Sequence, residues 1–270
     1  MKTYLSLATM MAAISVAAFF GIRSFSNPRA DAQGAPQSVH PVIVELFTSE
    51  GCSSCPPADA LLTRLDQQGR LGNAEIIALE EHVDYWDQLG WRDPFSSAQW
   101  TQRQQDYAAA FRNDGVYTPQ MIVDGRKEFV GSSQSSARSA IADASRAPKA
   151  EVALTANPVS PLQAHLKIDV KMLPDPAAKS AQVWLAVTES GLHSNVKHGE
   201  NAGEDLHHAA VVRSLRKIAD AKQGAAIAYA GEEDVPLDST WQRGNIRLVV
   251  FVQDPKSKHI LGAAMAHLAQ

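Results

Sequence analysis

The chain has 270 residues, with 45% hydrophobic and 20% charged side chains and a formal net charge of −4. That is the profile of a globular protein of about two domains. The mildly acidic balance and the lack of a basic stripe leave no footprint for nucleic acid, and two cysteines cannot staple a chain of this size as a disulfide scaffold.

Lys2 precedes a mostly apolar run from Leu5 to Phe20, and Ala30-Asp31-Ala32 follows as a candidate cleavage site. This pattern resembles a bacterial export signal. Arg23 lies between the apolar run and that site, which leaves an uncleaved membrane anchor open. No other stretch is long and apolar enough to span a bilayer. Asn27 to Ser38 reads as a polar connector with nothing to bury. Residues 1–38 are therefore set apart from the folded protein.

Val42 to Phe47 is an apolar run that predicts a buried strand. Glu45 interrupts it, as an end-of-strand carboxylate or as a buried proton acceptor beside the cysteines. A polar turn leads to Cys52 and Cys55, then Pro56-Pro57, then a helix through Ala58, Leu61, Leu62 and Leu65. Prolines suit the first turn of a helix, where a missing N–H costs little. Strand, Cys-x-x-Cys, proline and helix in that order resemble a thioredoxin-type redox site. At a helix start Cys52 meets backbone N–H groups, which favour its thiolate. Asp59 sits one turn past Cys55, where its charge raises a nearby thiol pKa. A Cys52–Cys55 link closes so small a loop that it adds little stability. Redox chemistry or a metal is the better reason for the pair.

Glu75 to Glu80 predicts a second strand, making a parallel β–α–β unit. The segment from Glu81 to Phe95 is polar and aromatic at once. His82 and Asp84 emerge from the strand end near the cysteines, where α/β folds place binding sites. Tyr85, Trp86, Trp91 and Phe95 pack the loop or wall a substrate. Ser96 or Ser97 caps a helix to about Phe111, with Trp100, Gln104, Tyr107 and Phe111 on one face. Gln104 reads as a boundary residue of that face, and Asn113-Asp114-Gly115 ends the helix.

A strand follows Thr118-Pro119 and turns at Asp124-Gly125. Lys127 to Val130 returns, and Gln134 to Ala144 is a helix with Ala137, Ala140, Ile141 and Ala144 inward. The thioredoxin resemblance implies a cis Thr118–Pro119 bond facing the cysteines, with Thr118 offering backbone groups to an extended substrate.

Ala147-Pro148 marks a boundary between residues 39–147, with an insertion at about 81–115, and residues 148–270. Beyond it, alternation at Leu162 to Val170, Val183 to Val187 and Ile246 to Val252 predicts short antiparallel strands. Turns are expected at Asn157-Pro158, Pro174-Asp175-Pro176 and Asp254-Pro255. Ala209 to Ile218 fits strand or helix. The fold class is α/β: a thioredoxin-like domain followed by an antiparallel β-sandwich-like domain. His193, His198, His207 and His208 fall in a polar loop that lacks tight metal-ligand spacing. Such a loop can lean onto the first domain and cover the cysteines.

The signature Glu45-Leu46-Phe47-Thr48-Ser49-Glu50-Gly51-Cys52-Ser53-Ser54-Cys55-Pro56-Pro57-Ala58-Asp59, with His82-Val83-Asp84-Tyr85-Trp86-Asp87, Leu89-Gly90-Trp91, Tyr117-Thr118-Pro119-Gln120, Gly199-Glu200-Asn201 and Leu206-His207 to Val212-Arg213, resembles a family of exported bacterial proteins of unknown function. The resemblance spans about residues 41–268 and implies a thioredoxin-like fold and export, with no substrate. The site lacks the Trp-Cys-Gly-Pro-Cys of ordinary thioredoxins, which favours a dedicated partner over general reduction.

The leading expectation is thiol–disulfide exchange in the periplasm or outside the cell. Cys52, the more exposed sulfur, attacks, and Cys55 resolves the mixed disulfide. Thr118 and Pro119 hold the substrate, and His82 and Glu45 handle protons. The partner is a protein or small-molecule thiol or disulfide, with a redox partner protein supplying or removing electrons. Membrane contact is expected only through an uncleaved N-terminus. No cofactor is expected and no metal ligands are assigned at this site. Two alternatives stand: Cu(I) or zinc delivery, with His82 completing a site on Cys52 and Cys55, and a binding module with a structural disulfide.

Overall fold

The computed structural model describes residues 39–174 and 180–268. The expected export signal and connector, and part of the turn expected at Pro174-Asp175-Pro176, lie outside the described residues. The N-terminal part runs β1 (His40–Thr48), α1 (Pro56–Gln68), β2 (Arg70–Leu71), β3 (Ala74–His82), α2 (Ala98–Phe111), β4 (Gln120–Val123), β5 (Lys127–Val130) and α3 (Gln134–Ala144). β1 and β3 pair in parallel, from His40 opposite Ala74 to Thr48 opposite His82. β4 lies antiparallel on the other side of β1, and β5 follows it.

Both faces of this sheet are covered, which is why β1 and β3 read as near-continuous apolar runs. Val42, Val44 and Leu46 pack under Leu61, Leu62 and Leu65 of α1 and Ala137, Ala140 and Ile141 of α3. Ile43, Phe47, Ile77 and Leu79 face the other way, toward Trp100 and Tyr107 of α2. Ser97 caps α2 by accepting from the Gln99 N–H at 3.2 Å, and Arg112 closes it in the left-handed conformation, one residue before the expected Asn-Asp-Gly stop. This β–α–β then β–β–α order is the thioredoxin-like arrangement.

The C-terminal part contributes β6 (Val152–Ser160), β7 (Gln163–Lys171), β8 (Ser180–Glu189), β9 (Leu192–Asn195), β10 (Asp205–His208), β11 (Val211–Lys222), β12 (Ile227–Pro236), β13 (Ile246–Gln253) and β14 (Ile260–His267). It is antiparallel except at one seam, where Val211 of β11 pairs in parallel with Glu80 of β3. One sheet therefore runs β14-β13-β8-β11-β3-β1-β4-β5, with β2 on the margin of β3. A separate sheet, β12-β7-β6, faces it. Leu166, Ile168 and Val170 of β7 meet Leu185 and Val187 of β8 and Leu248 and Val250 of β13, closing the sandwich.

One open choice is settled and one local expectation is corrected. Ala209 to Ile218, which fits strand or helix, lies mostly in β11, which zips onto β8 with two register shifts, and those bulges break its alternation. Asn157-Pro158 is not a turn but part of β6. β6 is an edge strand, where a proline's missing N–H faces no neighbour.

Candidate functional site

After β1 the chain turns tightly. The Cys52 N–H donates to Ser49 O and the Cys55 N–H to Cys52 O, both at 3.1 Å. Cys55 is the N-cap of α1, and Cys52 and Cys55 form a disulfide with Cα atoms 5.4 Å apart. Both cysteines are fully buried, which corrects the expectation that Cys52 is exposed. The expected N–H donors are also missing. Pro56 and Pro57 fill the first two helical positions, and the Ala58 and Asp59 N–H groups both go to Cys55 O, at 2.8 and 3.1 Å. The polar group at Cys52 Sγ is the Ser54 hydroxyl, 3.4 Å away.

The loop between β9 and β10 covers the pair. Asn201 Nδ2 donates to Glu50 O at 2.8 Å and to Cys52 O at 3.1 Å, and the Ser53 N–H donates to Glu200 Oε2 at 3.1 Å. The aromatic segment after β3 completes the roof. At Gly90 a Cβ would sit 3.3 Å from Gly199 Cα, so the two loops meet backbone to backbone. The Trp91 indole donates to Glu50 Oε2 at 2.7 Å. Trp86 packs its Cβ against Gly51 and donates its indole N–H to Thr118 Oγ1 at 2.8 Å. Trp86 thus ties the residue before Cys52 to the residue before Pro119. The Thr118–Pro119 bond is cis. Pro119 and Ala58 of α1 both crowd Gly131, where an added Cβ would come within 3.2 and 3.1 Å of their Cβ atoms.

Behind Glu50, where β1 and β3 end, lies a buried polar cluster. His208 places Nδ1 3.0 Å from Glu80 Oε1 and Nε2 3.2 Å from Glu50 Oε1. His82 Nδ1 lies 2.7 Å from Asp93 Oδ2, which also accepts from the Glu50 N–H at 2.8 Å. The two imidazoles meet edge to face at 4.7 Å between centroids. Asp59 points in from α1 and accepts from the Thr48 hydroxyl at 2.6 Å. Burial, reinforced by the charge of Glu80, pushes Asp59 up to about 7. Burial works against a charged His82, but Asp93 outweighs it and holds the ring above its ordinary pKa. His208 is likewise opposed by burial and held well above its ordinary value by Glu80 and Glu50. Asp93 stays below the usual carboxylate range despite burial, because His82 and two backbone N–H groups hold its charge.

Cys52, Cys55, Thr118 and Pro119 therefore gather at one place. His82 stands a layer behind them, with its ring nitrogens toward Asp93 and Glu80. Among the described residues the donors within metal-ligand spacing are Glu80, His82 and His208, a group that does not include Cys52 or Cys55, which are joined in the disulfide. Glu45 is not delivered to the sulfurs. It alternates onto the opposite face of β1, where Arg103 Nε donates to it at 2.7 Å and the Tyr107 hydroxyl donates to its other oxygen. Gln104 is no boundary residue either: fully buried, it donates to Tyr117 O at 2.7 Å and Gln120 Oε1 at 2.9 Å. Sequence reasoning missed Glu50, Glu80, Asp93, Glu200 and Asn201. Two adjacent acids closing an otherwise apolar strand, Glu80-Glu81, were the available signal.

No curated protein matches the chain. A solved structure of a protein from Agrobacterium tumefaciens is 26% identical, with TM-score 0.66, and the match covers 87% of this chain and 97% of that one. HBP35 of Porphyromonas gingivalis, 16% identical over 87% of this chain and 77% of its own, shares the fold with TM-score 0.63. The family described as "Protein of unknown function (DUF1223)" matches residues 43–253, and the chain belongs to it.

Proposed function

We propose that the protein is an exported thiol–disulfide exchange protein acting on a dedicated partner in the periplasm or outside the cell. The observation that carries this reading is the Cys52–Cys55 disulfide at the start of α1, with cis Thr118–Pro119 tied to it through Trp86. In the reduced protein the Cys52 thiolate attacks a partner disulfide, forms a mixed disulfide and releases one partner thiolate. Cys55 then attacks Cys52 Sγ, closes the 52–55 bond and releases the second partner thiolate, so the partner gains two electrons. The reverse sequence oxidises a partner dithiol. The Ser54 hydroxyl is placed to donate to a Cys52 thiolate. The roof of Asn201, Glu200 and Trp91 has to lift before either sulfur reacts, which suits one shaped partner over a general reductant. The apolar segment at Leu5 to Phe20 supports export, and left uncleaved it would tether the protein to a membrane.

A second reading rests on the full burial of both sulfurs: a permanently closed disulfide inside a binding module. Mixed-disulfide trapping separates the two. Exchange predicts that Cys55→Ser accumulates a covalent partner adduct that dithiothreitol releases, and that the 52–55 pair titrates reversibly against a glutathione buffer. A pair that resists any thiol reductant, with no adduct on Cys55→Ser, would leave the binding module.

A further inference from the structure

We propose that Glu80, His82 and His208 form a buried site for one divalent transition-metal cation, best fitted by zinc, that pins β10 to the end of β3. The site is separate from the cysteines and needs no reduced sulfur. The three side chains are buried, and their donor atoms all lie within 4.8 Å of one another. Glu80 Oε1 is 3.0 Å from His208 Nδ1 and 3.8 Å from His82 Nε2. Tetrahedral bonds of about 2.0–2.1 Å place neighbouring ligand atoms roughly 3.3 Å apart, so both spacings bracket what one ion requires.

A second observation points to a ligand. His82 Nε2 is fully buried, has no hydrogen-bond partner and is directed toward Glu80. A buried imidazole nitrogen without a partner is destabilising, and a metal bond removes that cost. The outer contacts fit as well. With Nε2 on the metal, His82 presents Nδ1–H to Asp93 Oδ2 at 2.7 Å. With Nδ1 on the metal, His208 presents Nε2–H to Glu50 Oε1 at 3.2 Å. Glu80's other oxygen accepts the Ala209 N–H at 3.0 Å. Each imidazole thus carries a carboxylate behind it, the outer arrangement that fixes tautomer and ring orientation in histidine metal sites.

The charges around the site accommodate an ion. Glu50, Asp59, Glu80 and Asp93 are buried together with only two imidazoles among them. Among the described residues no lysine or arginine forms an ion pair with any of the four. A bound divalent ion leaves both rings neutral and supplies the two positive charges that ring protonation would otherwise have to supply among these carboxylates. Two imidazoles and one carboxylate suit zinc, whereas calcium and magnesium take oxygen ligands.

The test is zinc content by mass spectrometry, with titration of chelator-treated protein by zinc chloride and by cobalt(II) chloride. The wild-type protein is expected to hold about one zinc per chain, to lose several degrees in Tm on chelation and to recover it with zinc. The Cys52→Ser/Cys55→Ser double variant is expected to bind equally well. Glu80→Gln and His208→Gln are each expected to weaken binding at least tenfold. Cobalt spectra of the wild-type protein keep the proposal testable if those variants do not fold: ligand-field bands without thiolate charge transfer are expected. Thiolate charge transfer, or loss of binding only with the cysteines, would overturn it. So would binding that disappears with the exposed, stacked pair His193 and His207 but survives His208→Gln. A folded wild-type protein that binds neither ion would overturn it too. Failure here leaves the exchange reading untouched, because that reading is tested by trapping on Cys55→Ser.

Discussion

Asp59 shows how far a single position can be pushed by its surroundings. It sits in the first turn of α1, where a carboxylate is ordinarily favourable, yet its side chain is buried and aimed into a cluster of other acids. Its pKa rises from 3.8 to about 7, first through burial and then through Glu80. A raised carboxyl binds its proton more tightly in the folded state than in the unfolded one. The folded protein is therefore favoured fully below about pH 4, and that advantage is lost as pH climbs to about 7. The full shift corresponds to about 2–4 kcal/mol, allowing for its dependence on Glu80 and His208. Asp59→Asn keeps an oxygen for the Thr48 hydroxyl and cannot ionise. In metal-free protein it should raise Tm relative to wild type at pH 8 and gain little at pH 4.5. A difference between the two proteins that does not change with pH would refute the assignment. Glu45 makes the opposite point. It is as buried as Asp59, but Arg103 and Tyr107 satisfy it, and its neighbour Glu81 is pushed well above the ordinary range by burial while Arg103 pulls it back. A sequence shows that an acid interrupts a strand, but not which face of that strand meets a cation 58 residues later.

Among the elements, those fixed by local pattern were legible: β1, α1, β3, α2, the β4–β5 hairpin and α3 all follow from apolar spacing, caps and turn residues. The cis bond at Thr118–Pro119 was readable only from element order, since nothing in the local residues distinguishes it. What was not legible depends on distant partners. β11 is a strand because β8 and β3 flank it, and Gln104 is core because Tyr117 and Gln120 come back to it. The loop between β9 and β10 was readable as polar and as a possible cover, but not as the group that seals the sulfurs. Its grip consists of a few contacts: two hydrogen bonds from Asn201, one to Glu200 and the backbone approach of Gly199 to Gly90. Each such hydrogen bond contributes about 0.5–1.5 kcal/mol. Asn201→Ala removes two of them and leaves the core intact. It should speed reduction of the 52–55 disulfide by dithiothreitol about tenfold, with Tm falling only modestly. The readout is the rate of thiol appearance under native conditions. An unchanged rate would mean that the loop does not limit access.

At the scale of the whole molecule, the two parts distinguished by sequence pattern share their structural members. The described residues from 39 onward belong to one compact unit, and the main sheet passes from one part to the other where β11 meets β3. The face of β1 and β3 opposite α1 is covered by Val212, Leu215, Val249 and Phe251 as well as by α2. Gln253 donates to the Tyr107 hydroxyl at 2.9 Å, so the buried network around Glu45 and Arg103 draws on both parts. Lys149, just past the pattern boundary, pairs with Asp124 and donates to Pro41 O at 2.9 Å. The Ile260 N–H donates to Asp124 O at 2.9 Å, and Gly125, with φ +61, lies so close to Lys258 that a Cβ would come within 1.9 Å of its carbonyl oxygen. The β4–β5 turn is thus seated in the turn between β13 and β14. Cutting the chain after residue 147 strips these partners and re-exposes part of Ile43, Phe47, Ile77 and Leu79. At roughly 1.5–3 kcal/mol per fully buried side chain, even partial exposure removes much of the ~5–15 kcal/mol that holds a domain folded. Residues 39–147 alone should therefore show no cooperative thermal transition, whereas residues 39–270 should unfold in one. Calorimetry on both chains decides the matter. A sharp transition in the shorter chain would establish that the thioredoxin-like part folds alone and that the shared sheet is an interface between domains.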